Sequence, residues 1–206
     1  MFDLQPTLDG DLVRLRPLRQ EDFEDLYAVA SDPLIWEQHP VKDRYKREVF
    51  EGLFRESLAS GGTLVAIDAH DDAVNDVDVA DSRVKDGRII GWSRFHRYDE
   101  ARSEIEIGYT FLAKSYWGGV YNREMKHLML RHAFQFVDSV VFLVGPQNLR
   151  SQKAMEKIGG VQAGLRIDAG GRESIVYEIT RDSFEQHRAA ARDLVSRPGA
   201  PLIRER

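Results

Sequence analysis

The run EIEIGYTFLAKSYWGGVYNREMKHLMLRHAFQFVDSVVFLV, Glu104 to Val144, decides how this chain is organised. Its opening residues alternate, with Ile105 and Ile107 to one side and Glu104 and Glu106 to the other, as a strand with one buried face requires. A turn holding Trp117, Gly118 and Gly119 follows. From Asn122 to about Phe136, Met125, Leu128, Met129, His132 and Phe136 then recur at helical spacing. Ser139 to Val144 is almost wholly apolar, the composition of a strand covered on both faces. Strand, helix and strand make one β-α-β crossover.

Outward from this unit the pattern changes. Leu12 to Arg16 alternates as a half-buried strand until Pro17. Glu21 to Ala30 reads as a helix with Phe23, Leu26, Tyr27 and Ala30 on one face, closed by Asp32-Pro33. Asp43 is expected to cap a second helix carrying Tyr45, Val49, Phe50, Leu53, Phe54 and Leu58, which Gly61-Gly62 stops. Thr63 to Ala69, Arg88 to Phe95 and Ser103 to Leu112 are strands. Asn148 to Ile158 is a short helix, and strands near Val161 to Arg166 and Ser174 to Thr180 flank the Gly170-Gly171 turn. A last helix starts at Asp182 or Ser183. Strands first, then a single crossover, predict an α+β domain with a mixed, mostly antiparallel sheet and flanking helices. The strands do not alternate regularly with helices, so a doubly wound sheet is excluded.

Residues 1–195 are read as one domain. Seven aspartates between Asp68 and Asp86, with few large apolar neighbours, predict an acidic mobile loop over about 69–87. Their spacing does not match a calcium loop. The tail 196–206 carries two prolines and is expected to be loosely held. A net charge of −5 argues against a nucleic-acid groove. The absence of cysteine excludes a thiol nucleophile and thiolate metal sites, and the histidines lack metal-ligand spacing, so no metal is expected. No apolar run approaches the ~20 residues that span a bilayer, which predicts a cytoplasmic protein without a membrane partner.

The chemistry starts at the glycine turn. A helix start carries unpaired N–H groups and partial positive charge, and glycine lets the backbone approach an anion closely. The turn matches neither the Walker pattern nor the dinucleotide fingerprint. Taken alone it reads equally well as a phosphate cradle or as a structural turn.

The whole stretch is more specific. Ile105-Glu106-Ile107-Gly108-Tyr109, then Tyr116-Trp117-Gly118-Gly119 leading to Glu124, then Asn148, Ser151 and Ala154 before Lys157-Ile158-Gly159-Gly160, resembles the coenzyme-A half of the GNAT superfamily of N-acetyltransferases. Leu15-Arg16-Pro17-Leu18 with Asp22 resembles that family's opening strand and helix. The match runs over about residues 8 to 185 and is nearest the ribosomal-protein N-terminal acetyltransferase branch. The chain departs at Val120, where that branch usually has a second glycine: a β-carbon stands near the expected diphosphate, while the backbone N–H survives.

The resemblance implies the acyl-CoA N-acyltransferase fold, with acetyl-CoA as cosubstrate and a small-molecule or peptide amine as acceptor, and it allows a homodimer. It implies that pantetheine lies along the backbone of Tyr109, Thr110, Phe111 and Leu112. It places the pyrophosphate at Trp117, Gly118, Gly119, Val120, Tyr121 and Asn122. Asn148 is expected to face the cosubstrate near the thioester, with Lys153 or Lys157 at distal phosphates. An amine attacks only when neutral, so a base must take its proton, the departing sulfur benefits from an acid, and a backbone N–H stabilises the developing oxyanion. Glu106 is the first choice as base and Glu104 the second; both also read as solvent-side strand residues. Ser151 is the candidate acid, with Tyr177 as substitute, and Ser151 reads equally as a helix-capping or helix-lining residue. Trp36, Glu37 and His39 lie in a non-periodic aromatic and polar stretch suited to a cationic amine, or to anchoring a loop on the core. His132, on the apolar stripe, is expected to be a hydrogen-bonded core histidine. The alternative function is a catalytically inactive acyl-CoA-binding sensor or partner module.

Overall fold

The computed structural model describes residues 1–70 and 87–195. Eight strands form one sheet: β1 (Leu8–Asp9), β2 (Val13–Pro17), β3 (Thr63–Asp68), β4 (Arg88–Asp99), β5 (Glu104–Leu112), β6 (Ser139–Val144), β7 (Val161–Ile167) and β8 (Glu173–Thr180). Across the sheet they run β1-β2-β3-β4-β5-β6-β8-β7. The helices are α1 (Phe23–Ala30), α2 (Arg47–Ala59), α3 (Val120–Ala133), α4 (Leu149–Lys157) and α5 (Arg181–Val195). Neighbouring strands are antiparallel except β5 and β6, the pair that α3 joins. The mixed α+β arrangement with one crossover is the one found.

Helices cover both faces, so β3 is buried along its whole length. Leu64 and Ala66 join a core with Met125, Leu128 and Met129 of α3. Val65 and Ile67, pointing the other way, join Leu26 of α1 and Phe50 and Phe54 of α2. The period-2 alternation of the strand meets a helical stripe on each side. His132 is buried among aromatic rings and its Nε2 lies 2.7 Å from the carbonyl oxygen of Asp3, so it belongs to the core.

Several boundaries differ from the sequence expectation: α3 runs Val120–Ala133 rather than from Asn122 to about Phe136, β4 runs on to Asp99 past Phe95, and three further differences lie at α2, before α1 and at β1. The helix expected to be capped by Asp43 begins only at Arg47: Asp43 to Lys46 closes a turn, with the Lys46 N–H on the Asp43 carbonyl at 2.9 Å, and the N-cap is Lys46. α1 is preceded by a 3-10 turn, Gln20–Asp22. There Asp22 is buried, accepts both guanidinium bonds of Arg16 at 2.8 Å and takes the Arg19 N–H at 2.7 Å. β1 pairs only Leu8 and Asp9 with Leu15 and Arg14, too short a segment to show a period. The acidic stretch expected over about 69–87 and the tail 196–206 lie outside the described residues, apart from Ala69, His70 and Gly87. Among the described residues no helix is long and apolar enough to cross a membrane.

Candidate active site

β5 and β6 pair only from Glu104 to Glu106 against Ser139 to Val141. Beyond that point Phe111 and Leu112 stay with Trp92 and Gly91 of β4, while Phe142, Leu143 and Val144 stay with Tyr177, Val176 and Ile175 of β8. Two parallel strands therefore part in the middle of the sheet and leave backbone without a partner strand. A bulge widens the split: β4 advances two residues from Trp92 to Arg94 while β5 advances three from Gly108 to Phe111. Tyr109, at that bulge, has φ 53°.

Several groups hold the bulge. The Trp92 indole N–H donates to the Tyr109 carbonyl at 2.8 Å, and the Arg94 guanidinium lies 4.0 Å from the Tyr109 ring centre. Arg94 is itself 1% exposed, bonded to Thr63 and Ser57 and paired with Glu56 at 3.3 Å. From α3, Lys126 reaches Thr110 Oγ1 at 2.5 Å and Ser93 Oγ at 2.9 Å. Burial lowers the Lys126 pKa to about 7. Gly91 allows β4 to approach so closely: a β-carbon there would stand 2.1 Å from the Phe111 carbonyl oxygen.

The split opens into a cleft of about 1180 Å³ that runs from Glu106 past Tyr109–Leu112 to the start of α3. At that end Gly118 has φ 96°, and a β-carbon on either Gly118 or Gly119 would meet nothing within 4 Å. The first bond of the helix is from the Arg123 N–H to the Gly119 carbonyl at 3.1 Å, so the preceding amides of the first turn have no partner within the helix. No acidic residue sits in that turn. The space and the amides fit a diphosphate. Trp117 is fixed by its indole N–H on the Leu112 carbonyl at 2.9 Å and by the Arg150 guanidinium 3.9 Å over its ring. Val120, 48% exposed, lines the cleft together with Asn122; Tyr121 does not, its ring standing edge-on to Tyr116 at 4.7 Å.

On the opposite wall Asn148, Ser151, Lys153 and Lys157 all line the cleft. The Asn148 side-chain oxygen caps α4 by accepting the Ser151 N–H at 3.1 Å. Both lysines are exposed. Tyr177 packs into the core away from the cleft.

Of the two carboxylates, Glu106 faces the cleft and Glu104 does not. Glu104 is held between Arg102 at 3.4 Å and Arg166 at 3.6 Å. Glu106 is 5% exposed, its Oε2 has no hydrogen bond, and the nearest cation, Arg97, is 3.7 Å away. Burial raises its pKa above the ordinary carboxylate value, opposed by the charges of Arg97 and Arg166. A carboxylate so placed takes up a proton more readily than a solvated one.

Trp36 and His39 line the cleft; Glu37 does not, and pairs with Arg150 at 3.7 Å. Trp36 is 3% exposed, donates its indole N–H to the Ala30 carbonyl at 2.8 Å, and has the Arg44 guanidinium 5.6 Å from its ring. It therefore anchors the loop and already faces a cation. Burial, aided by the charge of Arg44, lowers the His39 pKa to about 4. His39 is thus neutral; its Nε2 lies 3.1 Å from Arg44 Nη1, and its Nδ1 accepts the Val41 N–H at 2.9 Å and lies 3.1 Å from the Val41 carbonyl oxygen.

Sequence reasoning missed Lys126 and the arginines of the cleft. Lys126 had a readable signal, since Lys126, Leu130 and Ala133 form a second buried stripe at i, i+4 and i+7 beside the one identified. Arg44, Arg97 and the β7–β8 hairpin with Arg166 and Arg172 come from three separate segments, and no local pattern links them. Among the described residues, no group of three or more His, Asp or Glu is placed to hold a metal ion.

Comparison with known proteins extends these observations. A family model described as an acetyltransferase (GNAT) domain matches residues 13–161. No curated protein matches the sequence. Among solved structures, a GCN5-related N-acetyltransferase from Brucella melitensis is 19% identical with a TM-score of 0.70, covering 93% of this chain and 86% of that one. Mycobacterium smegmatis RimJ in complex with CoA-disulfide is 20% identical with a TM-score of 0.63, over 93% and 98% of the two chains. Vibrio cholerae spermidine N-acetyltransferase in complex with CoA and spermine is 14% identical with a TM-score of 0.59, over 85% and 99%.

Proposed function

The chain belongs to the GNAT family of acetyltransferases, and from that premise we propose that it transfers an acetyl group from acetyl-CoA directly to a primary amine held in the same cleft. The observation that carries this reading is the parting of β5 and β6 beyond Glu106 and Val141, in line with the open glycine turn at the start of α3. The β6-facing edge of Tyr109–Leu112, which has no partner strand, suits the pantetheine amides as an added strand would, although the Tyr109 and Leu112 carbonyls already accept the indole N–H groups of Trp92 and Trp117. The amides of Gly119 to Asn122 suit the diphosphate. Bound acetyl-CoA supplies the acetyl group as an activated thioester.

In this reading Glu106 takes the proton from the incoming ammonium, directly or through a water. The free amine then forms the N–C bond as the C–S bond breaks; the departing sulfur receives a proton from Ser151, and the nitrogen, made acidic by acylation, gives up its second proton through water to reload Ser151 and leave the neutral amide. A backbone N–H of the β5 bulge faces the carbonyl oxygen as charge develops on it. No covalent enzyme intermediate is needed, because both reactants occupy one cleft. Titration with acetyl-CoA followed by thiol release with a panel of amines tests the proposal. Binding in the micromolar range and an N-acetylated product are expected. No binding at about several hundred micromolar would end it, and binding without transfer to any amine would favour an acyl-CoA-binding module.

A further inference from the structure

Resting on that reading, we infer that the acceptor carries an anionic group, a carboxylate or a phosphate, on the same molecule as its amine, and that Arg44, Arg97 and Arg172 receive it. The lining of the cleft holds six arginines and three lysines against two carboxylates, Glu106 and Asp168, in a chain whose net charge is −5. Arg123 stands in the first turn of α3 and Lys153 and Lys157 on α4, at the diphosphate end. Arg97 and Arg166 act on Glu106, where the amine must come, and Arg44 and Arg172 line the same cleft and act on one another, whereas Arg150 covers Trp117 and pairs with Glu37.

Arg97 is brought there by a second bulge. Between His96 and Asp99, β4 advances three residues while β5 advances two, and Arg97 takes φ 50°. An unbulged strand would point Arg97 away from the face shared by His96 and Glu106; the bulge brings its guanidinium within 3.7 Å of Glu106. A non-glycine residue in the left-handed region is strained, and such strain gathers where a side chain must be aimed.

Arg44 and Arg172 lack a carboxylate ion pair among the described residues. Arg44 bonds to neutral His39; burial lowers its pKa, Tyr109 and the Glu56 carboxylate oppose that shift, and the charges of Arg172 and Arg94 add to it. Asp168 accepts the Gly170 and Arg172 N–H groups on its Oδ1 at 2.9 Å each, and its carboxylate also feels the charges of Arg172 and Arg97, so it balances at most one charge of the group. Guanidinium groups lining one cleft disfavour one another's charge, and an anion between them relieves it with bidentate, charge-assisted bonds. The same charges repel a polycation such as the spermine held by the Vibrio cholerae neighbour.

Matched acceptors test this: O-phosphoethanolamine against ethanolamine, L-glutamate against its diamide, with spermidine as the cationic arm. The charged member of each pair is expected to give a kcat/KM at least about 10-fold higher, the phosphate and carboxylate arms telling which anion is preferred. In the double variant Arg44→Gln, Arg172→Gln that ratio falls toward one, while the KM for acetyl-CoA stays within about twofold. Equal or better use of neutral amines or spermidine overturns the inference, and so does a rise in the acetyl-CoA KM, which would assign these arginines to the cosubstrate. An independent readout is the melting temperature with saturating CoA. O-phosphoethanolamine or glutamate raises it in the wild type and not in the double variant. Stabilisation without any acetyl transfer would sink the transferase reading and keep the anion site; no stabilisation by either anion sinks the site itself.

Discussion

Glu106 and Lys126 are both buried, and their environments push them toward the neutral form in opposite senses. For Glu106 the consequence is catalytic. Replacing it with glutamine is expected to lower turnover by about 10²-fold or more and to leave acetyl-CoA affinity within about twofold; unchanged turnover would move the base elsewhere. Only the deprotonated carboxylate accepts a proton, and burial raises its pKa from the ordinary 4.5. The acid limb of the kcat/KM profile should therefore lie above the usual carboxylate range. Arg97→Gln removes a charge that opposes this rise, so the limb moves to higher pH, and a limb that stays put would detach Arg97 from Glu106. For Lys126 the consequence is stability. Its pKa is about 7 when folded against 10.5 as the reference value. Between those values the unfolded chain binds a proton that the folded chain does not, so stability rises with pH across that window. In Lys126→Met the hydroxyls of Ser93 and Thr110 still bond each other at 2.8 Å. Urea unfolding at pH 7, 8 and 9 is expected to show the wild type gaining on this variant as pH rises; parallel curves would mean that Lys126 is charged when folded.

At the level of elements, the split between β5 and β6 depends on the close approach of β4. The carbonyl of Phe111 occupies the place of a side chain at Gly91, whose φ is 151°. Gly91→Ala is expected to cost about 1–3 kcal/mol, read by urea unfolding, and to weaken acetyl-CoA binding as the bulge shifts. A loss of stability at full affinity would show that the bulge tolerates displacement. Most of this architecture was legible, because local periodicity encodes it. The alternation of Ile105 and Ile107 with Glu104 and Glu106, the stripe Met125-Leu128-Met129-His132 and the apolar run to Val144 are each short-range patterns. The parts that were not legible depend on contacts distant in sequence. β1 exists because two residues find Leu15 and Arg14. Asp43 loses its capping role to Lys46 because the chain first turns once more before α2. The bulges at Tyr109 and Arg97 are read only from the register of β4 against β5. Glu106 and Glu104 were equivalent by alternation, and only the cleft on one side and the arginine pair on the other tell them apart.

Across the whole molecule, a chain of net negative charge carries a cleft lined by arginines, and that asymmetry makes charge a long-range property of the site. A net charge of −5 repels anions in general, whereas the arginines of the cleft draw them in at close range. Salt separates the two effects. The screening length falls from about 14 Å at ~0.05 M to about 4 Å at ~0.5 M, so contacts inside the cleft survive while steering does not. At saturating acetyl-CoA, which removes the cosubstrate's own salt dependence, kcat/KM for O-phosphoethanolamine is expected to fall on the order of 10-fold over that range. For ethanolamine the change should be less than about twofold or of opposite sign. Ethanolamine carries the same ammonium group without the phosphate, so the difference isolates the anion. A larger fall for spermidine than for the phosphate-bearing amine would mean that acidic groups dominate the path to Glu106, and the arginines would then have to be explained as structural. The double variant Arg44→Gln, Arg172→Gln, carried through the same salt series, locates the source of the attraction. If the salt dependence for O-phosphoethanolamine flattens in that variant, the attraction originates at the two guanidinium groups; if it keeps its full slope, the pull comes from charges elsewhere on the chain.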